Sequence, residues 1–172
     1  MALGRDYPGQ DCALARALEV IGERWTMLVL RDAFYGVRRF SDFHDHLAAP
    51  RAVLTERLAT LVDAGVLARR RYQQSPPRDE YVLTARGREL WPTVYTLVHW
   101  GERHLSEGGA RRTFHHAGCG HRLDALGCCP RCAASVPAAD VEIRPGPGLS
   151  VVATDPVSLA LRTPHRLLEP LR

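Results

Sequence analysis

Apolar residues recur at helical spacing through most of the first 105 positions. Leu14, Ala17, Leu18 and Ile21 share one face of a helix over 12–21, with Asp11 as its N-cap. Trp25, Leu28, Val29 and Ala33 mark a second helix over 25–35 that Gly36 ends. Phe40, Phe43 and Leu47 give the inner face of a short helix over 41–47, capped by Ser41. Ala48 and Ala49 then form a turn with no room for bulk, and Pro50 suits the first position of a new helix. In that helix Leu54, Leu58, Leu61 and Val62 face the core, and Gly65 follows its end. Arg51, Ala52, Thr55, Glu56 and Ala59 fall outside the apolar positions and are free to face a partner. The pattern next becomes extended: a strand over 66–72, a polar tip over 73–78 and a returning strand over 80–83. Thr84 caps a helical stretch to 105, with Leu90, Val94, Leu97, Val98, Gly101 and Leu105 on one face and Pro92 as a kink or restart.

Two helices across a tight turn, followed by a basic hairpin, follow the plan of a winged helix-turn-helix, in an α+β, mainly α, chain. In that plan the second helix enters the DNA major groove and the hairpin lies along the backbone. Arg51 and Thr55, with Arg57 or Glu56, are then the base-reading side chains, and Arg51 is placed best because the start of that helix reaches the base edges. An arginine paired with guanine through two bonds gives about 1–3 kcal/mol of discrimination. Arg38 and Arg39 precede the first helix of the pair and are placed to touch phosphate. Arg69, Arg71 and Arg78 belong to a run over 69–78 with four arginines and no acid, suited to clamping the backbone. Glu56 and Glu80 are read as holding arginines in place. The competing reading is an ordinary α+β domain with a solvated charged hairpin.

Composition alters this picture little. The 172 residues carry a net charge of +4 and a sequence pI near 9.0, which suits nucleic acid without requiring it. All 23 basic residues are arginine, and the chain has neither Lys nor Asn, a bias expected of GC-rich coding DNA. No apolar run is long enough to span a bilayer and no export signal opens the chain, so a cytoplasmic location is expected. Trp91, Tyr95 and Trp100 add large surfaces beyond the inner face of the last helix, more than so small a domain easily buries. A two-fold homodimer through the first helix and residues 84–105 accommodates them; packing within one subunit is the alternative, most directly for Trp91.

Beyond Leu105 the chemistry changes, since four of the five cysteines lie there. Three segments are expected: a DNA-binding and dimerisation domain over 1–106, a linker over 107–112, and a Cys/His appendage with its tail over 113–172. His116 and Cys119, then Cys129 and Cys132, form two x2-spaced pairs nine residues apart. Facing each other, such knuckles make a Cys3His zinc site of zinc-ribbon type, with Gly118 and Gly120 permitting the tight turn. His115 and His121 compete with His116 for the fourth position, and Cys128 is spare. The rival is a redox dithiol at Cys129-Pro-Arg-Cys132, but the residues after Cys132 are too few for the helix such a site opens. Catalysis would need an open coordination position and a base that nothing marks out, so the chain is not read as an enzyme. In the tail, short strands over 141–144 and 150–154 and a helix over 157–162 flank a Pro-Gly-Pro-Gly turn.

Cys12, Ile21-Gly22-Glu23-Arg24-Trp25-Thr26, Arg39-Phe40-Ser41, Leu54-Thr55 with Leu58, Gly65-Val66-Leu67, Pro76-Pro77-Arg78, Glu80-Tyr81, Leu83-Thr84 and Gly87 follow one another in a familiar order. From Cys12 to Leu105 the chain resembles the HxlR-type transcriptional regulators, relatives of MarR. The resemblance implies a homodimeric DNA-binding regulator, a repressor on a palindromic operator, responsive to an oxidant or a small molecule. Some members use a cysteine at the position of Cys12 as a sensor. A helix N-terminus lowers a thiol pKa, which favours that role, whereas Asp11 opposes it. The alternative for Cys12 is a small half-buried residue of the fold.

Overall fold

The structure is a computed structural model that describes residues 7–150 and 152–171; of the polar stretch over 1–10, which Pro8 and Gly9 mark in the sequence as a loose arm, the first six positions lie outside the described residues. Four helices open the chain: α1 (Ala13–Ile21), α2 (Thr26–Phe34), α3 (Phe40–Leu47) and α4 (Arg51–Asp63). Ala48 ends α3 in the left-handed conformation, with φ 51°, and Pro50 is the N-cap of α4 rather than its first helical residue. Ser41 does not cap α3, which begins one residue earlier behind Arg39; its hydroxyl turns to Asp42 instead. Strands β1 (Leu67–Gln73) and β2 (Arg78–Leu83) pair antiparallel, from Leu67 opposite Leu83 outward to an irregularity between Arg71 and Gln73. The amide of Tyr81 donates to the Arg38 carbonyl at 2.8 Å, so the link before α3 runs beside the hairpin.

Thr84 caps a single turn, α5 (Ala85–Arg88), by accepting from Gly87 N at 3.1 Å. Pro92 resolves as a restart: it sits in the first turn of α6 (Trp91–Leu105), where its missing N–H costs no helical bond. The face read along this helix divides. Val94 is buried, whereas Leu97, at 51% exposure, and Leu105, at 72%, face outward.

The remainder of the chain packs onto this frame. Strands β3 (Arg112–His116), β6 (Val141–Pro145) and β7 (His165–Arg166) form an antiparallel sheet in the order β3-β6-β7. A minimal hairpin, β4 (Cys128–Cys129) with β5 (Ala134–Ser135), stands apart, and α7 (Pro156–Ala160) packs on α3. Arg112 therefore belongs to a strand and not to the linker. The expected strand over 150–154 does not form at its described positions, and Val151 lies outside the described residues.

Phe114 of β3 corrects the account of the surplus aromatics. Its ring lies 5.8 Å from Trp91 and 5.2 Å from Tyr95, while Trp91 also meets Phe34 of α2 at 5.2 Å. Trp91 and Tyr95 are thus buried within the subunit, and one continuous buried cluster runs from Val29 to Leu167. Of the three aromatics only Trp100 stays exposed. The end of the chain returns to the start of the fold: Leu168 N donates to Phe34 O at 2.8 Å and Leu171 N to Gly36 O at 3.2 Å. Gly36 has φ +96°, and a Cβ there would meet the Glu169 carbonyl at 1.8 Å, so only glycine admits this return.

Candidate nucleic-acid interface and metal-ligand cluster

Helix α4 is anchored by Leu54, Leu58 and Leu61, none of which is exposed to solvent. Its opposite side carries Arg51, Ala52, Thr55 and Glu56, all exposed. Thr55 Oγ1 donates to Arg51 O at 2.8 Å, and the Arg51 guanidinium lies 5.0 Å from the Phe40 ring, which orients it at the start of the helix. Arg57 does not join them. It is 4% exposed and ion-paired with Glu56 at 2.9 Å and Glu23 at 3.4 Å. Position 57 falls between Leu54 and Leu61 on the inner face, so its charge is directed into an intramolecular pair.

The four arginines of the hairpin differ in what holds them. Arg71 pairs with Asp79 across the strands, and Arg70 pairs with Glu80, the acid expected to hold an arginine. Arg69 lies 5.9 Å from the Tyr81 ring. Arg78 opens β2 at the hairpin tip and is exposed. In the link, Arg39 stacks on Tyr72 at 4.7 Å, while Arg38 is half-buried and donates to the Leu168 carbonyl at 2.9 Å. A groove of about 460 Å³ joins Arg38, Arg39 and Arg70 to Pro170 and Leu171. The contact with the chain end was not legible in the sequence, because on the chain-end side a main-chain carbonyl makes it. A second residue passed over is Asp32. Fully buried, it accepts from Arg31 at 2.7 Å and bonds His46 Nδ1 at 2.7 Å, tying α2 to α3. An acid between Val29 and Ala33 on an inner face was the available signal.

The two x2-spaced pairs converge. His116 Nδ1 lies 3.3 Å from Cys119 Sγ and 3.4 Å from Cys132 Sγ, and Cys119 Sγ lies 3.5 Å from Cys129 Sγ. All four ligand atoms fall within 4.8 Å of one another. A tetrahedral ion with the usual zinc bond lengths would hold such atoms about 3.6–3.8 Å apart, so the donor set fits a divalent ion of zinc size and softness. Neither rival histidine takes part: His115 bonds Gly120 O and Thr113, and His121 bonds Cys119 O. Burial raises the Cys129 thiol, but the Cys132 amide and the neighbouring Cys119, His116 and Cys132 groups outweigh it and bring it down to about 6. Those same contacts from Cys129 and Cys119 push Cys132 up to about 11. Around Cys129 and Cys132 the backbone is strand and turn, so the helix a dithiol enzyme would open at the first cysteine is absent among the described residues.

Cys12 is exposed and is the N-cap of α1, one position before the first turn. The backbone N–H of Ala15, and then that of Leu14, lower its thiol below the ordinary value, although neither makes an aligned capping bond. All five cysteines are free.

Two helices across a tight turn, a paired basic hairpin behind them and an open outer face on the second helix define a winged helix-turn-helix. The HxlR-like helix-turn-helix family matches residues 20–108, and the chain belongs to it: it is a transcriptional regulator of that family with a Cys/His-containing C-terminal extension. The HTH-type transcriptional regulator Rv3095 of Mycobacterium tuberculosis is 42% identical over 148 residues, 85% of this chain and 92% of that protein. A match of that length reaches beyond the helix-turn-helix into the extension. YdeP of Bacillus subtilis, another HTH-type transcriptional regulator, is 35% identical over 106 residues, 59% of this chain and 83% of its own. Among solved structures, PA1607 superimposes with a TM-score of 0.60 at 33% identity, covering 76% of this chain and 92% of that one. The reduced form of the redox regulator HypR gives 0.51 at 33%, covering 54% and 92%. Among the described residues no helix is long and apolar enough to cross a membrane.

Proposed function

We propose that the protein is a cytoplasmic, homodimeric, non-enzymatic repressor that covers promoter DNA at a palindromic operator. The observation carrying this reading is the outer face of α4, exposed at Arg51, Ala52 and Thr55 while Leu54, Leu58 and Leu61 hold the other side immobile. Arg51 and Thr55 read bases; Arg38, Arg39, Arg69, Arg71 and Arg78 position the backbone; Arg57, being buried, is withdrawn from the set. Residues 1–106 carry binding and dimerisation, and residues 113–172 carry the ligand cluster. Dimerisation is supported by apolar side chains left open on α1 (Leu14, Leu18) and on α6 (Leu97, Trp100, Leu105). A two-fold axis there sets the recognition helices about one DNA turn apart. His116, Cys119, Cys129 and Cys132 hold a structural zinc ion, in a ribbon-like pair of knuckles.

The test is a gel shift and footprint on the region upstream of the protein's own operon. Two protected half-sites, with affinity lost in Arg51→Ala, are expected; a protein that binds this duplex no better than random competitor sinks the reading. Metal content by mass spectrometry separates it from a thiol-disulfide function of Cys129 and Cys132. Stoichiometric zinc that survives mild chelation is expected, and metal-free thiols that cycle with a disulfide substrate would favour the enzyme.

A second reading concerns control. The exposed, acidified thiol of Cys12 and the likeness to HypR, a redox regulator, favour an oxidant or electrophile as effector. With no other cysteine near it in sequence, Cys12 reacts by adduct formation or by a disulfide between subunits. Cys12→Ser should keep DNA binding and lose the response to diamide or quinones; an intact response would dispose of this role.

A further inference from the structure

The chain end makes main-chain contact with the link that carries Arg38, and the same chain end is bonded to the strand beside the ligand cluster. His116, a member of the cluster, is the last residue of β3 and pairs with Val141 of β6. The carbonyl of Val141 accepts from Leu167 N at 2.9 Å. The next residue, Leu168, donates its N–H to Phe34 O at 2.8 Å and accepts from the Arg38 guanidinium at 2.9 Å. Arg38 is held from the other side by its own carbonyl, which accepts from Tyr81 N in the hairpin. Three residues thus separate a cluster ligand from the held side chain of Arg38: Val141, Leu167 and Leu168.

A second grip acts at the same place. Ala117, next to His116, donates its N–H to Asp140 O at 2.8 Å, and Arg166 donates to Ala139 O at 2.8 Å. The stretch 139–141 is therefore clasped between the knuckle on one side and the returning chain on the other. The loop over 117–140 is short of regular structure, with two strands of two residues each, one turn of 3-10 helix, and buried Leu123, Cys129, Val136 and Ala138. Its ties to the frame are few, Leu123 N to Phe114 O at 2.9 Å and Tyr95 Oη to Asp124 O at 2.6 Å among them. In a segment so short of regular structure, the free energy of ion binding is in large part folding free energy.

We propose that residues 167–171 are a positioning strap for the helix-turn-helix, and that metal occupancy of the His116/Cys119/Cys129/Cys132 cluster sets whether the strap holds Arg38 for a DNA phosphate. This rests on the zinc and DNA readings above and adds their linkage. With the ion bound, the knuckle fixes residues 139–141, β7 stays paired, and the Leu168 carbonyl orients the guanidinium at the edge of the groove formed with Arg39 and Arg70. With the ion removed, the loop opens, the strap frays from Phe34 and Gly36, and Arg38 loses its fixed direction. The deformable element is the short β6–β7 pairing together with the four strap bonds, which supplies the physical link that coupling between two sites requires.

The experiment uses the full chain, reconstituted with Zn²⁺ or stripped by chelator under reductant, with metal content measured in each case. Binding to a duplex from the upstream region of its own operon is followed by fluorescence anisotropy across a KCl series, and amide exchange at Leu168 and Leu171 by mass spectrometry. Removing zinc should speed exchange at both amides, lower affinity about tenfold, and flatten the salt slope by about one, the mark of one lost phosphate contact. A loss of folded protein alone would lower the active fraction and leave the slope unchanged. In the zinc-loaded chain Leu168→Pro removes the N–H and forbids the φ of 67° found there, so it should reproduce the flattened slope; Leu168→Gly keeps N–H, C=O and positive φ and should retain the native slope. If zinc binds and its removal changes neither exchange nor slope, or if Leu168→Pro keeps the native slope, this inference alone falls. If no zinc is taken up, the zinc reading falls and this with it; if the loaded chain ignores the duplex, the DNA reading falls and takes the inference down.

Discussion

Phe114→Ala tests whether the C-terminal extension is part of the regulator's core or a rider upon it. Phe114 is 6% exposed and lies against Trp91 and Tyr95, which meet each other, and Trp91 in turn meets Phe34. Truncating a buried phenylalanine costs about 3–5 kcal/mol, of which the two ring pairs account for roughly 1–3. Taking about 4 kcal/mol and an unfolding entropy near 2.1 cal/mol/K per residue over roughly 170 residues, the melting temperature should fall by about 11 °C. The assay is thermal unfolding by far-ultraviolet circular dichroism at one fixed protein concentration, since a dimer's midpoint depends on it. Tryptophan fluorescence, to which Trp91 contributes, is followed in the same samples. Both signals should move together in one transition. A fall under about 3 °C, or a transition that splits with the helical signal unmoved, would refute the claim that strand and helices share a core.

Three further outcomes follow. Arg57→Met should leave operator preference intact and cost little stability, about 0–1 kcal/mol for the lost pairs, because Glu23 and Glu56 are 42% and 45% exposed and stay hydrated without the guanidinium; a changed base preference would return Arg57 to the contact face. Cys12 should be alkylated by iodoacetamide with a pH midpoint below that of an ordinary thiol, since the Ala15 and Leu14 amides stabilise the thiolate; a midpoint at or above the ordinary value refutes this. For Asp155, burial raises the carboxyl but bonds from Ser158 more than offset it, so its folded pKa lies below the ordinary value. It therefore adds stability present at neutral pH and lost as pH falls through the folded value, and Asp155→Asn should flatten that acid dependence; equally steep acid unfolding in the variant contradicts the assignment.

The helix-turn-helix was legible because its leucines keep strict helical spacing and its turns use residues few other conformations accept. The misreading of Arg57 came from residue type overriding position. Leu54, Arg57, Leu58 and Leu61 stand at i, i+3, i+4 and i+7, a complete inner stripe, and an arginine within it had to be paired. The cluster was legible from its spacing, His116 included, but the spacing alone left His115 and His121 as rivals. His115 and His116 are neighbours in a strand and face opposite sides, so the register of β3 against β6 decides which one meets the thiols. The burial of Trp91 and Tyr95 could not be read from α6, because the surface that covers them arrives from β3 across a linker that periodicity does not connect. The strap was invisible altogether, since every residue has an N–H and a C=O and no side-chain pattern marks the ones that meet.

These hidden contacts share one consequence. The extension joins the frame at three separate places: Phe114 beneath α6, α7 against α3, and residues 168–171 against the α2–α3 link. The last two bear on α3 or its approach, the element that in the proposed reading sets how α4 meets DNA. A tag fused for solubility needs only one attachment and favours none. An extension that packs on α3 and bonds the link leading into it instead helps fix that helix relative to α2, where Asp32 already ties it through His46. A change confined to the cluster or the chain end, with Phe114 left in place, should therefore reach the orientation of α3 and α4 before it reaches the fold as a whole, so DNA affinity is expected to respond to smaller perturbations of the cluster than global stability does.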